Sequence, residues 1–234
     1  MTDDAPRALL LDALGTLVRL EPPVEPLRRE LRERFGTELS RDEAAAAMRA
    51  EIAFYRAHHD EASDRERLAD LRRRSAQALR GALPHGPARE LPLAPLTEAL
   101  LAALRFRPFE EVPAVLRAAR ERGLRLVVVS NWDVSLHDVL ADTGLAPLLD
   151  GVVTSAEVGS AKPDGAIFAR GLARAGVGAG EAVHVGDSVE HDVAGARAAG
   201  IAAVLVARDV DPPAVPDGVP AIPSLRPLLR ILSA

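Results

Sequence analysis

The sequence predicts an α/β protein: a parallel sheet with helices on both faces, interrupted near its start by an inserted helical module. Three observations lead there. Short, uninterrupted apolar runs recur along the chain, and each stops at a polar residue or a glycine. Patterns of helical period separate the later runs. The long stretch between the first and second runs carries helical periodicity only. Alternation of strand and helix favours parallel pairing, because each helix returns the chain to the same end of the sheet.

The first run is Ala8-Leu9-Leu10-Leu11, apolar throughout, as expected for a strand buried on both faces; it ends in Asp12, and Gly15 marks the turn. Residues 125–129 form the second run, after Gly123 and before Ser130-Asn131. A weaker third covers residues 151–154, a fourth covers 182–185 and ends in Gly186-Asp187, and a fifth covers 201–206. Between them, Val112, Val115, Leu116 and Ala119 share a helical face that Gly123 stops. Leu136, Val139 and Leu140 precede Gly144 in the same way. Asp164 is placed to cap a helix carrying Ile167, Phe168 and Leu172 to Gly176. Val189, Val193 and Ala196 run to Gly200, with Ser188 as the N-cap.

The insert spans residues 18–105, leaving 1–17 and 106–234 as the core. Leu27, Leu31 and Phe35 are spaced by four; Met48, Ile52, Tyr55 and His59 share a face; Leu68, Leu71, Leu79 and Leu83 suggest a third helix. Prolines 84, 87, 92 and 95 then break the pattern before a fourth helix over residues 96–104. The tail holds Pro212, Pro213, Pro216, Pro220, Pro223 and Pro227 and reads as mostly loop, with a short apolar end at residues 225–232.

Bulk properties narrow the function. With 234 residues, 48% hydrophobic and 27% charged, the chain is expected to pack rather than stay disordered. A formal net charge of −5 gives no reason to expect nucleic acid, and the arginines of residues 65–80 read as a solvated helix face. The chain has no cysteine, which excludes disulfides, thiolate metal sites and cysteine nucleophiles. The start, Met1-Thr2-Asp3-Asp4, is acidic where a signal peptide would be basic, and no run approaches the roughly 20 apolar residues of a membrane span. A cytoplasmic protein without membrane contact, monomeric or homodimeric, is expected.

In an open parallel sheet, ligands bind beyond the carboxyl ends of the strands. Those ends read Asp12, Ser130-Asn131 and Gly186-Asp187, with Lys162-Pro163 in the loop after the third strand. A carboxylate nucleophile, a hydroxyl, a carboxamide, an ammonium and a second carboxylate form a coherent set for an anionic substrate and a divalent cation. Carboxylates gathered at one sheet edge repel each other unless a cation sits among them, and hard oxygen ligands suit magnesium better than zinc.

In order and spacing these segments resemble the motifs of the haloacid dehalogenase (HAD) superfamily. Asp12-Ala13-Leu14-Gly15-Thr16-Leu17 resembles the first motif, Ser130-Asn131-Trp132-Asp133 the second and Lys162-Pro163-Asp164 the third. Gly186-Asp187-Ser188, with Asp192 five residues after Asp187, resembles the fourth. The insert is similar to the family's helical cap, and the core is most similar to the haloacid dehalogenase-like domain-containing branch. The resemblance implies a Rossmann-like core and a phosphatase of a small phosphorylated molecule. Asp12 would form an aspartyl-phosphate. Mg2+ would lie on the Asp12 and Asp187 carboxylates and the Leu14 carbonyl, with Asp192 ordering the metal shell. Ser130, Asn131 and Lys162 would hold the phosphate.

One position departs from the family. Its phosphatases usually carry a second aspartate two residues after the nucleophile, as acid and base; here stands Leu14. Three readings stay open: a phosphatase that relies on a good leaving group or a cap residue, a 2-haloacid dehalogenase-type hydrolase, or a protein that binds phosphate or a partner with little turnover. Retention of Asp187 favours a metal and hence the first. Tyr55, His58 and His59 are candidates for facing the site from the insert, against the plainer reading of amphipathic packing. His184 reads as structural, and Asp133 as either a cap or a pocket residue.

Overall fold

The computed structural model describes residues 5–208 and 215–232. The acidic start at residues 1–4, and Pro212 and Pro213, lie outside the described residues. The chain opens with β1 (Ala8–Leu11) and β2 (Val18–Leu20), followed by α1 (Val24–Phe35), α2 (Arg41–His58), α3 (Arg65–Ala82) and α4 (Leu93–Ala103). Next come β3 (Phe106–Pro108), α5 (Val112–Glu121), β4 (Arg125–Ser130), α6 (Leu136–Asp142), β5 (Gly151–Thr154), α7 (Ser155–Val158) and α8 (Gly165–Ala175). Then follow β6 (Ala182–Gly186), α9 (Gly195–Ala198), β7 (Ala202–Val206), β8 (Ala221–Ile222) and α10 (Leu228–Ile231). The chain divides into two compact units, residues 1–19 with 108–234, and residues 20–107. It passes from one to the other through β2 and β3, which pair with each other.

The first unit is a Rossmann-like α/β core. Its six strands run in the order β5-β4-β1-β6-β7-β8, with every neighbouring pair parallel. All four residues of β1 are fully buried, which a strand without polar side chains tolerates at the centre of a covered sheet. Leu10, Val127 and Val129 meet Ile167 and Phe168 of α8 in one apolar cluster. Register places the chemistry. Leu11 lies level with Val128 of β4 and Val185 of β6, so the residues just beyond them share one edge of the sheet.

The described tail is mostly loop, as its prolines lead one to expect. It is not only loop, because Ala221 and Ile222 pair with Leu205 and Val206 as a sixth, edge strand. Two residues between Pro220 and Pro223 are too few to show strand alternation, and an edge position is where flanking prolines are tolerated.

The second unit is a four-helix bundle around Leu27, Leu31, Met48, Leu79, Leu96 and Leu100, all nearly inaccessible. Ser40 and Glu43 form a capping box at the start of α2, satisfying amides that the helix leaves open. Helix α4 begins at Leu93, ahead of the expected Leu96, with Pro95 in its first turn, where proline is accepted. Near the end of α2, Phe54 meets His58 edge-on at 4.2 Å and Tyr55 stacks near His59 at 5.8 Å between centroids. These contacts belong to the bundle's own packing. Glu51, also on α2, is buried with Ser75 of α3 near its carboxyl, a feature the Met48-Ile52 pattern did not disclose.

Candidate active site

The site is assembled at the ends of β4, β1 and β6, three adjacent strands. Asp12 follows β1 directly, and its amide donates to the Val185 carbonyl at 2.9 Å, which fixes the backbone at the sheet edge. Its side chain is buried, and Oδ1 accepts from Ser130 Oγ at 3.0 Å and from Lys162 Nζ at 2.6 Å. Among the described residues, nothing hydrogen-bonds Oδ2. Lys162 is placed by Asn131: the Asn131 carboxamide accepts from the Lys162 amide at 2.7 Å and donates to the Lys162 carbonyl at 2.9 Å. The carboxamide expected to bind substrate is therefore engaged in holding the lysine. The buried Asp133 carboxylate accepts the Ser135 amide, two residues on, at 2.6 Å.

Lys162 also bonds Asp192 Oδ1 at 2.5 Å, and Asp192 takes a further contact from His184 Nε2 at 2.8 Å and the Ser188 amide at 3.0 Å. Asp192 reaches this place through a local π-helical turn over Val189–Ala194, in which both the Asp192 and Val193 amides donate to the Ser188 carbonyl. Such wide turns recur at functional sites. Gly186 makes room for it: a Cβ there would lie 2.1 Å from the Asp192 carboxyl carbon. Gly15 does the same for Asp187. It adopts φ +82°, and an added Cβ would fall 2.0 Å from Asp187 Oδ2.

Charge is concentrated here. Burial pushes the Asp12 carboxyl up, and Asp192 adds to this, against the pull of Lys162. Burial works against the Lys162 ammonium, yet Asp12 and Asp192 outweigh it and hold it above the ordinary lysine value. Asp192 is also opposed by burial, and Lys162 and His184 together bring it well below the usual carboxylate range. Asp187 keeps a solvent-facing surface, but the protein around its carboxyl, with Asp12 and Asp192, pushes it up to about 7. Three carboxylates with one ammonium leave an excess of negative charge. Oxygens of Asp12, Asp187 and Asp192 lie within 4.8 Å of one another, a spacing that could hold a metal ion.

The loop after Asp12 closes through Gly15 N–H to the Val18 carbonyl at 2.8 Å and through the Leu17 and Val18 amides to the Ala13 carbonyl. These bonds do not use the Leu14 carbonyl. Leu14 is 42% exposed, a large apolar residue in the loop that follows Asp12.

Residues 6–200 match the family model of haloacid dehalogenase-like hydrolases. The chain belongs to that family. It is 44% identical over 132 residues to haloacid dehalogenase-like hydrolase domain-containing protein 3 of Bos taurus, covering 54% of this chain and 52% of that protein. It is 42% identical over 117 residues to a phosphoserine phosphatase of Thermus thermophilus, covering 48% and 47%. The chain thus spans about half the length of the curated relatives it matches. A crystal structure of a HAD phosphatase from Thermococcus onnurineus superposes with a TM-score of 0.64 at 28% identity, covering 97% of each chain. Among the described residues, no helix is long and apolar enough to cross a membrane.

His184 and Arg208 joined the site without a sequence signal. A histidine inside an apolar strand looks structural, and its contact with Asp192 depends on the π-helical turn. Arg208 donates to the Gly15 and Thr16 carbonyls at 2.9 and 2.8 Å from almost two hundred residues away in the chain, a contact without local periodicity.

Proposed function

We propose that this hydrolase is a phosphatase in which Asp12 attacks the phosphorus of a small phosphomonoester. Water then hydrolyses the resulting acyl phosphate, returning Asp12 and releasing inorganic phosphate. One observation carries the reading: Ser130 and Lys162 both grip Asp12 Oδ1, leaving Oδ2 without a hydrogen-bond partner among the described residues. That arrangement orients one carboxylate oxygen for attack and sets an ammonium and a hydroxyl beside the position of a phosphoryl group. The phosphatases among the relatives support the same reaction class.

The residues fit a divalent cation such as Mg2+. Their donors are hard oxygens, the three carboxylates outnumber the single Lys162 ammonium, and Gly15 opens the space in which the Asp187 carboxylate sits. The Asp12 and Asp187 carboxylates and the Leu14 carbonyl would hold it. Asp192, whose oxygens already serve Lys162, His184 and Ser188, would order that set from behind. When bound, the cation supplies neutralisation of phosphoryl charge.

Leu14 shapes substrate choice. A hydrocarbon donates no proton, so the leaving oxygen departs as an anion, and aryl or acyl phosphates are favoured over alkyl ones. The inserted helical segment, which begins directly after the first motif, serves in this reading as the cap that governs substrate choice.

The test is a panel of aryl, acyl and alkyl phosphates with and without magnesium, beside 2-haloacids. Magnesium-dependent phosphate release, fastest on aryl and acyl esters, is expected. Halide release without metal would replace the reading with a dehalogenase, and an absence of turnover on all of them would leave a binding protein.

A further inference from the structure

We infer that Arg208, just beyond β7, is a positioning residue that locks the loop carrying Asp12 and Leu14; the inference rests on the catalytic reading of that loop. Each nitrogen of its guanidinium has a partner. Nε donates to the Gly15 carbonyl at 2.9 Å, Nη2 donates to the Thr16 carbonyl at 2.8 Å, and Nη1 pairs with Glu111 Oε1 at 2.9 Å. The Phe109 ring lies 3.5 Å from the guanidinium carbon, closing one face. Glu111 is itself fixed: it is buried and accepts the Leu225 amide at 3.3 Å. Burial pushes the Glu111 carboxyl up, but its hydrogen bonds with backbone amides and Arg208 outweigh this and leave it lowered. Three acceptors on three different nitrogens and a ring against one face suit the planar fork of arginine, which lysine cannot reproduce.

The consequence for the site follows from peptide geometry. A trans peptide points its C=O opposite to its N–H. The Gly15 N–H is bonded to the Val18 carbonyl, so the Leu14 carbonyl on the same peptide plane must face the other way. Gly15, at φ +82°, is the residue about which this loop could turn. Arg208 ties down the next two carbonyls in succession, so the Gly15–Thr16 peptide cannot rotate and carry the Leu14 carbonyl with it. Arg208 touches neither Asp12 nor, among the described residues, any other member of the acidic cluster. Its action is on the backbone that aims them.

The test compares wild type with Arg208→Met, Arg208→Lys and Glu111→Gln, all as full chains, by hydrogen exchange, magnesium titration and steady-state kinetics. In Arg208→Met, amides of residues 13–18 should exchange on the order of 10-fold faster, while those of β4 and β6 keep their protection. The kcat should fall about 10-fold to 100-fold with KM changed by less than about threefold, the pattern of a misaimed rather than an unoccupied site. Apparent magnesium affinity should weaken in step, and millimolar guanidinium should restore part of the rate. Arg208→Lys should recover only a fraction, and Glu111→Gln should give a milder version of each change. If Arg208→Met fails to fold, the lysine and glutamine variants decide by the same measurements. Loop exchange and magnesium affinity within about twofold of wild type in a folded variant would overturn the inference. Exchange needs no turnover, so it tests the lock even if the phosphatase reading fails.

Discussion

Replacing Glu51 by glutamine should make the helical unit more stable at alkaline pH and leave it nearly unchanged in acid. Glu51 lies on α2 with 3% of its surface exposed, and burial pushes its carboxyl from 4.5 up to about 7. The Ser75 hydroxyl on α3 opposes that shift without forming a full hydrogen bond. A carboxyl raised on folding contributes stability that is complete below its unfolded value. That contribution is lost as pH rises through the folded value, so the window runs from about 4.5 to about 7. At about 1.4 kcal/mol per pH unit, the loss across it is on the order of 3 kcal/mol. Glutamine keeps the shape and never ionises. Urea unfolding followed by far-ultraviolet circular dichroism, at intervals from pH 5 to 8.5, reads the difference between variant and wild type. That difference should climb with pH and level off above about 7.5. A difference that is flat across the range would refute the reasoning, because it would mean that Glu51 ionises as freely in the fold as outside it.

Three further outcomes are expected. Leu14→Asp should raise specificity constants on alkyl phosphates about 10-fold more than on aryl phosphates, since it supplies a proton donor where the leaving oxygen departs. An unchanged ratio, with metal binding intact, would place the proton source elsewhere. Lys162→Met removes the one ammonium bonded to both Asp12 and Asp192. Equilibrium unfolding should show a loss of roughly 3–5 kcal/mol, and phosphate release should drop on the order of 100-fold or more. Wild-type rates in that variant would exclude Lys162 from the chemistry. Gly15→Ala forces a methyl against the Asp187 carboxylate at a backbone angle suited to glycine, so magnesium dependence should shift to higher concentration while the β1 core stays folded. An unaltered titration would show that the Asp187 carboxylate has room to move without consequence.

Much of this arrangement was legible because it is written at strand ends. Asp12, Ser130 and Asp187 each terminate or follow an apolar run, and parallel pairing then brings those ends to one edge. Lys162 could be assigned only by order among the motifs, since a lysine before a proline has no intrinsic address. What escaped was set by contacts without local period. Glu51 sits on an amphipathic helix where a heptad-like reading sees only its apolar neighbours. The π-helical turn that returns Asp192 beneath Gly186 breaks the 3.6-residue period on which helix reading depends. Arg208 meets the Asp12 loop from a distant segment and is held there by Glu111 from another, and β8 is two residues long. Asn131 was legible as a site residue, but its carboxamide's match to both backbone groups of Lys162 appears only in the structure.

The central claim is that Asp12 becomes phosphorylated. Wild-type protein mixed with magnesium and a radiolabelled acyl phosphate, quenched in acid within the first turnover and digested, should yield one labelled peptide. Borohydride reduction and mass spectrometry should locate the label at Asp12, and Asp12→Asn should yield none while retaining its fold. Phosphate release without any label on Asp12, or undiminished turnover in Asp12→Asn, would contradict the account.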